Sequence, residues 1–276
     1  ILKKQFIRIY DDDIQKVKEL MDAYNITYFN SPNDTLEQAQ INKKELISKK
    51  LILEEDQSVL DIGCGWGGMA AHIYKKSNAS VVGVTLSEEQ YAYANQRKIN
   101  EKLNKVEYRL QDYRNVNETY DRIVSVGMFE HVGTSHYQEF FNKVYDLLND
   151  TGVALIHTIG RLTEPTNNDP WIEKYIFPGG YIPALSETMF RVEKSGLTLA
   201  DVQVLKFHYA ETLKRWRYNF YDNIDKVKEL YDEKFCRMWD FYLSSSQASF
   251  EEAGLVVFQL QLSKNKKTVP DKRDYM

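Results

Sequence analysis

The stretch VLDIGCGWGG, from Val59 to Gly68, combines residue types and spacing that imply chemistry. Asp61, Gly63, Gly65, Gly67 and Gly68 follow a short apolar run and precede a helical pattern, where residues without a Cβ let the backbone turn sharply and approach a ligand. The expected chemistry is the holding of a nucleotide-type cofactor. Gly63-Cys64-Gly65-Trp66-Gly67-Gly68 satisfies GxGxxG, which alone is a weak signal for a dinucleotide. A nicotinamide dinucleotide calls for an acidic side chain after the second strand, whereas that strand closes on Gly83-Val84-Thr85-Leu86-Ser87. Asp61 ahead of a Gly-Cys-Gly core points away from nicotinamide as well. Cys64, inside the turn, reads as a small packing residue rather than a nucleophile.

Such a turn must be carried by a strand and a helix, and the sequence supplies several such pairs. TLEQAQINKKELISKKLIL reads as an amphipathic helix with Thr35 as N-cap and Leu36, Ala39, Leu46 and Ile47 near one face, Ile41 falling off it. SVLDIGCGWGGMAAHIYKK and SVVGVTLSEEQYAYANQRKIN are successive strand-to-helix units, the second with Ser87 at a helix start. VEYRLQDYR, YDRIVSVGMFEH and GVALIHTIG add three strand candidates, with the helix FFNKVYDLL between the last two. The implied fold class is α/β, a Rossmann-like, doubly wound, mostly parallel sheet with helices on both faces. After about residue 160 comes the Pro/Gly-marked stretch EPTNNDPWIEKYIFPGGYIP, then aromatic-rich helices over 211–250 and a last strand, GLVVFQLQLSK. The span of about 161–250 is expected to hold an inserted lid or helical substrate lobe.

Composition narrows the function classes. With 36 basic against 40 acidic residues the formal charge is −4, which argues against a duplex-binding protein held by phosphate contacts. The two cysteines, Cys64 and Cys236, form no metal-ligand pattern, so no metal is expected, and they fit a reducing compartment. No run approaches the ~20 apolar residues that span a bilayer, and ILKKQFIRIYDDD has no apolar signal-peptide core. Any contact with lipid is therefore expected from outside the bilayer.

DIGCGWG resembles motif I of class I S-adenosylmethionine-dependent methyltransferases. With it, in order, stand YFNSPNDTLEQAQ, GVTLSEEQ, RIVSVGMFEHVG, WIEKYIFPGGYIP, HYAETLKRW and RMWDFYL. Together these blocks look like the cyclopropane fatty acid synthase family, which includes the mycolic acid cyclopropane synthases and related lipid methyltransferases. The resemblance runs from about Tyr24 to Gln259 and is to the shorter members, which lack an extra N-terminal domain. It implies transfer of a methylene group from S-adenosylmethionine to the cis double bond of unsaturated phospholipid acyl chains, with bound bicarbonate as base. It also implies a helical cap over the cofactor in residues 1–50, a methyltransferase domain in 51–276, and a cytoplasmic protein peripheral to the inner face of the membrane.

By the same resemblance Glu130, His157 and Tyr209 hold the bicarbonate, with backbone help from Ile159; Ile26 either contributes its main-chain groups and the anion site survives, or the family's cysteine side chain is needed there and activity is reduced or altered. Tyr209 and His157 can donate to an oxyanion, while Glu130 can orient His157 or accept the acidic proton of bicarbonate. Each alone has an ordinary explanation: a strand-end carboxylate, a core histidine, a packing tyrosine. His131 and His208, which adjoin two of them, are expected to be structural. Ile26 replaces the family's usual cysteine in YSCAYF, and Ser246 replaces a second one, so no thiol nucleophile is expected at either place. For the cofactor the resemblance implies Tyr24 and Asn25 at the amino-acid end, then the turn with Asp61, Gly63, Cys64, Gly65, Trp66 and Gly67. Thr85, Leu86 and Gln90 follow at the ribose, and Asp112, Tyr113 and Arg114 around adenine. Trp66 reads equally as a cation–π contact to the sulfonium or as packing. Tyr175, Phe177, Pro178 and Gly179 are expected at the substrate, with later aromatics such as Trp171, Trp216, Trp239 and Tyr242 either walling an acyl slot or forming an ordinary helical core. The rival outcomes are a methyl-branching or hydroxylating fatty acyl methyltransferase, an amine N-methyltransferase, and a catalytically silent cofactor- or lipid-binding homologue. Oligomeric state is not legible.

Overall fold

The structure, a computed structural model, describes residues 26–276 of the 276-residue chain. Tyr24, Asn25 and the first half of the expected cap lie outside the described residues. Helix α1 (Leu36–Lys50) starts where Thr35 Oγ1 accepts the Gln38 amide at 3.1 Å, satisfying one of the helix's orphan donors. Leu36, Ala39 and Ile47 are buried, Leu46 is half-buried and Ile41 faces outward, as their spacing requires.

Five strands and three helices follow: β1 (Ser58–Ile62), α2 (Gly68–Ser77), β2 (Ser80–Thr85), α3 (Glu88–Asn100), β3 (Val106–Leu110), β4 (Tyr120–Val126), α4 (Tyr137–Leu147) and β5 (Leu148–Arg161). Beyond them come α5 (Pro170–Tyr175), α6 (Leu185–Ser195), β6 (Thr198–Leu205), α7 (His208–Asp222), α8 (Ile224–Leu230), α9 (Glu233–Glu252) and β7 (Leu255–Ser263). The seven strands form one sheet in the order β3-β2-β1-β4-β5-β7-β6, and the four pairings among β1 to β5 are parallel. Val59, Leu60, Asp61 and Ile62 are all buried, the mark of a strand covered on both faces. Strand order reverses between β1 and β4, the place where an open α/β sheet offers a crevice at its carboxyl end. The glycine turn leaves β1 and the FEH turn leaves β4 at that end.

Three differences from the sequence reading have local causes. VEYRLQDYR is strand only to Leu110; Asp112 then accepts the Arg114 amide at 2.9 Å and caps a 3-10 turn over Tyr113–Asn115. Strand β5 begins four residues earlier than the apolar run, at Leu148, where it pairs with Tyr120 across a register shift. Strand β6 has no counterpart in the sequence reading, because only Asp201 and Leu205 of TLADVQVL are buried and an edge strand shows little apolar alternation.

The described residues divide into two compact units, one of residues 44–165, 181–204 and 257–276, the other of 26–43, 166–180 and 205–256. Within the span 161–250, read as a substrate lobe, α6 and most of β6 thus belong with the sheet. The second unit packs on aromatic rings of α7 and α9: Tyr209 meets Phe250 edge-on at 4.8 Å and Trp216 at 5.8 Å, with Trp239 against Tyr242 at 5.1 Å. Thr27 and Thr212 hydroxyls meet at 2.6 Å and tie the segment before α1 to α7. No described helix is long and apolar enough to cross a membrane.

Candidate active site

The cofactor half is built from backbone. Gly63 and Cys64 amides both donate to the Val84 carbonyl at 3.0 Å, folding the turn back over the end of β2. Gly67 sits at φ +79° as the N-cap of α2, and a Cβ there would run into the Tyr108 ring and hydroxyl. That hydroxyl donates to the Gly67 carbonyl at 2.9 Å, so β3 braces the turn from below. At Gly65, φ is +53° and a Cβ would meet nothing within 4 Å, which leaves this stretch of backbone open to a ligand. Cys64 is buried; burial first, then the nearby Asp61 carboxylate, raises its thiol pKa, as expected of an inert packing cysteine.

The other expected cofactor residues lie at neighbouring strand ends. Thr85, at the end of β2, donates from Oγ1 to Gln90 Oε1 at 2.7 Å, while Leu86 between them is exposed. Ser87 caps α3 by accepting the Gln90 amide at 3.2 Å. Asp112 and Arg114 hold each other, Nη2 to Oδ2 at 2.6 Å. Tyr113 lies edge-on to Phe140 at 5.6 Å, and burial pushes its hydroxyl up to about 12. Trp66 lies edge-on to Tyr93 at 5.2 Å, and its carbonyl accepts from Arg97 at 3.1 Å.

The acid–base half gathers Glu130, His157 and Ile159 in the sheet unit. Glu130 lies on the 3-10 turn Phe129–His131 after β4, and its carbonyl accepts the Tyr181 amide at 2.9 Å. Its Oε1 accepts the Ile159 amide at 2.6 Å, while Oε2 is buried with no partner among the described residues. Ile159 therefore pins the carboxyl with its N–H, and its carbonyl takes the Thr158 hydroxyl at 3.0 Å. Burial pushes the Glu130 carboxyl up to about 7, against the pull of its own amide, the Ile159 amide and the Thr158 hydroxyl. His157, fully buried on β5, has Nδ1 3.0 Å from Gln259 Nε2 on the adjacent β7.

Residues 9–260 match the profile of the family described as mycolic acid cyclopropane synthetase. The cyclopropane-fatty-acyl-phospholipid synthase of Escherichia coli (strain K12) is 37% identical over 264 residues, 96% of this chain and 68% of that protein. The chain belongs to the mycolic acid cyclopropane synthetase family. Solved structures agree: the cyclopropane synthase MmaA2 from Mycobacterium tuberculosis superposes with a TM-score of 0.81 at 32% identity, covering 87% of this chain and 90% of that one. The mycolic acid cyclopropane synthase CmaA1 complexed with SAH and CTAB gives 0.81 at 31% identity, covering 95% and 94%. This member of the family is an S-adenosylmethionine-dependent methyltransferase, with the fold of class I.

In this synthetase relative, Ile26 and Tyr209 belong to the second unit, apart from Glu130, His157 and Ile159 in the division of the chain. Ile26 is buried. Tyr209 is buried at the start of α7, and its neighbour His208 accepts the Phe29 amide at Nδ1, 3.1 Å, which is a structural duty. Tyr242 is hydrogen-bonded to Tyr209, and burial raises the Tyr242 pKa. Of the expected substrate residues, Phe177 meets Tyr242 edge-on at 5.9 Å, Tyr175 lies against Trp171 at 5.6 Å, and Pro178 and Gly179 are exposed at the turn. Sequence reading missed Tyr108 and Gln259. Gln259 had a signal, a polar residue in the apolar run VVFQLQL; Tyr108 had none beyond an aromatic in a strand.

Proposed function

We propose that this methyltransferase transfers a methylene group from S-adenosylmethionine to a cis double bond of unsaturated phospholipid acyl chains at a membrane surface, forming a cyclopropane ring with bicarbonate as base. The cofactor supplies an electrophilic methyl group, and the anion, when bound, accepts the proton whose loss from that methyl closes the ring. The observation that carries the reading is the buried, half-satisfied Glu130 carboxyl: with Oε1 fixed by Ile159, Oε2 is left to share a proton with an oxyanion. A carboxyl titrating near 7 can be protonated beside an anion at neutral pH, which removes the repulsion of two negative groups. His157 donates a second hydrogen bond, Tyr209 a third, and Ile26 contributes main chain only.

The glycine turn fits the cofactor chemically, since Gly65 leaves backbone uncovered and Gly67 has no room for a Cβ. Thr85, Gln90, Asp112, Tyr113 and Arg114 receive the ribose and base in this reading, and Tyr175, Phe177, Pro178 and Gly179 the acyl chain. Bulk water must be kept from the developing cation, a duty assigned to the aromatic side chains of the second unit.

Mass spectrometry of unsaturated phospholipid vesicles incubated with the enzyme and S-adenosylmethionine, with and without bicarbonate, tests this. A gain of one CH2 with loss of the alkene, stimulated by bicarbonate and lost in Tyr209→Phe, is the expected result. Products that keep three methyl hydrogens or carry oxygen would instead show branching or hydroxylation, and cofactor binding without product would show a silent homologue.

A further inference from the structure

Strand β7 places two glutamines, Gln259 and Gln261, on one face of the sheet, both fully buried. Gln261 is fully employed in structure: its amide nitrogen donates to the Lys50 carbonyl at 2.5 Å, and its Oε1 accepts the Tyr275 hydroxyl at 2.8 Å. Gln259 differs. Its Nε2 faces His157 Nδ1 at 3.0 Å, and its Oε1 has no partner among the described residues. A buried amide that leaves its carbonyl unsatisfied costs stability, so its retention in a mostly apolar strand calls for a purpose.

We infer that Gln259 is a positioning residue that fixes the tautomer of His157. An amide NH2 only donates, so Nδ1 opposite it must present its lone pair, and in a neutral ring the single proton then resides on Nε2. His157 is thereby held as an Nε2–H donor. Resting on the anion site proposed above, this gives His157 one task there: it donates through Nε2 to the bound bicarbonate and exchanges no proton. Gln259, being neutral and without a basic atom, gives the ring no carboxylate partner that would favour the imidazolium. The proton released on ring closure therefore goes to the anion, and the histidine serves as a fixed dipole.

The test is long-range 15N–1H NMR of protein labelled on histidine nitrogens, with the His157 signals assigned by their loss in His157→Asn. Wild-type protein without bicarbonate is expected to show His157 neutral with the proton on Nε2. In Gln259→Leu the ring becomes a mixture of tautomers. The bicarbonate concentration for half-activation rises ~10-fold, the size expected for loss of one well-placed hydrogen bond, while S-adenosylmethionine affinity is unchanged. Gln259→Glu preserves shape but accepts instead of donating, and moves the proton to Nδ1, an opposite signature that serves if the leucine variant fails to fold. A proton on Nδ1 in the wild type, or a tautomer unmoved in both variants, would overturn the inference even if bicarbonate activates the enzyme. Wild-type turnover indifferent to bicarbonate would defeat the anion reading and the catalytic use of His157 with it; the ring signals would still decide separately whether Gln259 sets the tautomer.

Discussion

The glycine turn and the Glu130–His157 cluster sit at the carboxyl end of one sheet but are built on opposite plans. In the turn, the ligand-facing surface is main chain, and the polar side chains nearby are largely spent on the protein itself: Thr85 on Gln90, Asp112 on Arg114, Tyr108 on Gly67. In the cluster, side chains from three elements are buried with polar capacity left over, at Glu130 Oε2 and Gln259 Oε1. A main-chain cradle recognises what all cofactor states share and needs little reorganisation. Buried, incompletely satisfied side chains cost stability and are worth keeping only where a proton or an anion must be handled.

The comparison breaks most decisively at Glu130. Glu130→Gln is isosteric but cannot share a proton as an acid; turnover should fall ~1,000-fold, within the range for loss of a general acid–base group, with cofactor affinity unchanged by calorimetry. An equal fall in cofactor affinity would show that the two halves are not separate. In the turn the sign is reversed. Gly67→Ala combines a left-handed backbone with a clash against Tyr108, together at least ~2 kcal/mol, so cofactor affinity should drop ~30-fold or more and the thermal midpoint should fall with it. Gly65→Ala meets only the backbone cost, so its thermal midpoint should move less; a loss of binding out of proportion to that small shift would mark the open side as the ligand side.

The buried carboxyl also has a pH signature. Its ordinary value of 4.5 is raised to about 7 in the fold, so the folded state holds the extra proton between those values and stability falls as pH rises through that window. The full effect is about 3 kcal/mol, and Glu130→Gln lacks it. Denaturant titrations at pH 5 and pH 8 should show the variant gaining on wild type by up to that amount at the higher pH. Parallel behaviour of the two proteins would mean the carboxyl ionises without penalty.

The same contrast explains what could be read in advance. The turn was legible because its determinants are local: strand, glycines and helix lie within twenty residues, and Thr35 and Ser87 act as caps where their types and neighbours imply. Glu130 and His157 became legible only through resemblance, since a strand-end glutamate and a histidine in an apolar strand each have ordinary uses. Their partners Ile159 and Gln259 are set by strand pairing and order, which no local pattern encodes: Ile159 holds the acid and Gln259 faces the ring. The amphipathic reading of α1 survived for Leu36, Ala39 and Ile47 because burial follows helical period, while β6 escaped notice because an edge strand buries too little to show one.

The smallest expected effect probes where the two plans meet, at a side chain that serves only the backbone cradle. Tyr108→Phe keeps the ring that fills the space beside Gly67 and removes the hydroxyl that donates to the Gly67 carbonyl at 2.9 Å. The hydroxyl is buried, and its loss leaves the Gly67 carbonyl with the Ala71 amide, 3.0 Å away, as its remaining donor, at a cost of about 1 kcal/mol, or ~2–4 °C in thermal midpoint for a chain of this size. If the turn is held chiefly by glycine backbone geometry and by the Gly63 and Cys64 amides on Val84, cofactor affinity should fall no more than ~5-fold, in line with that single bond. A much larger loss of affinity at the same small loss of stability would show that Tyr108 sets the shape of the cradle, and that the cofactor half also depends on a distant side chain.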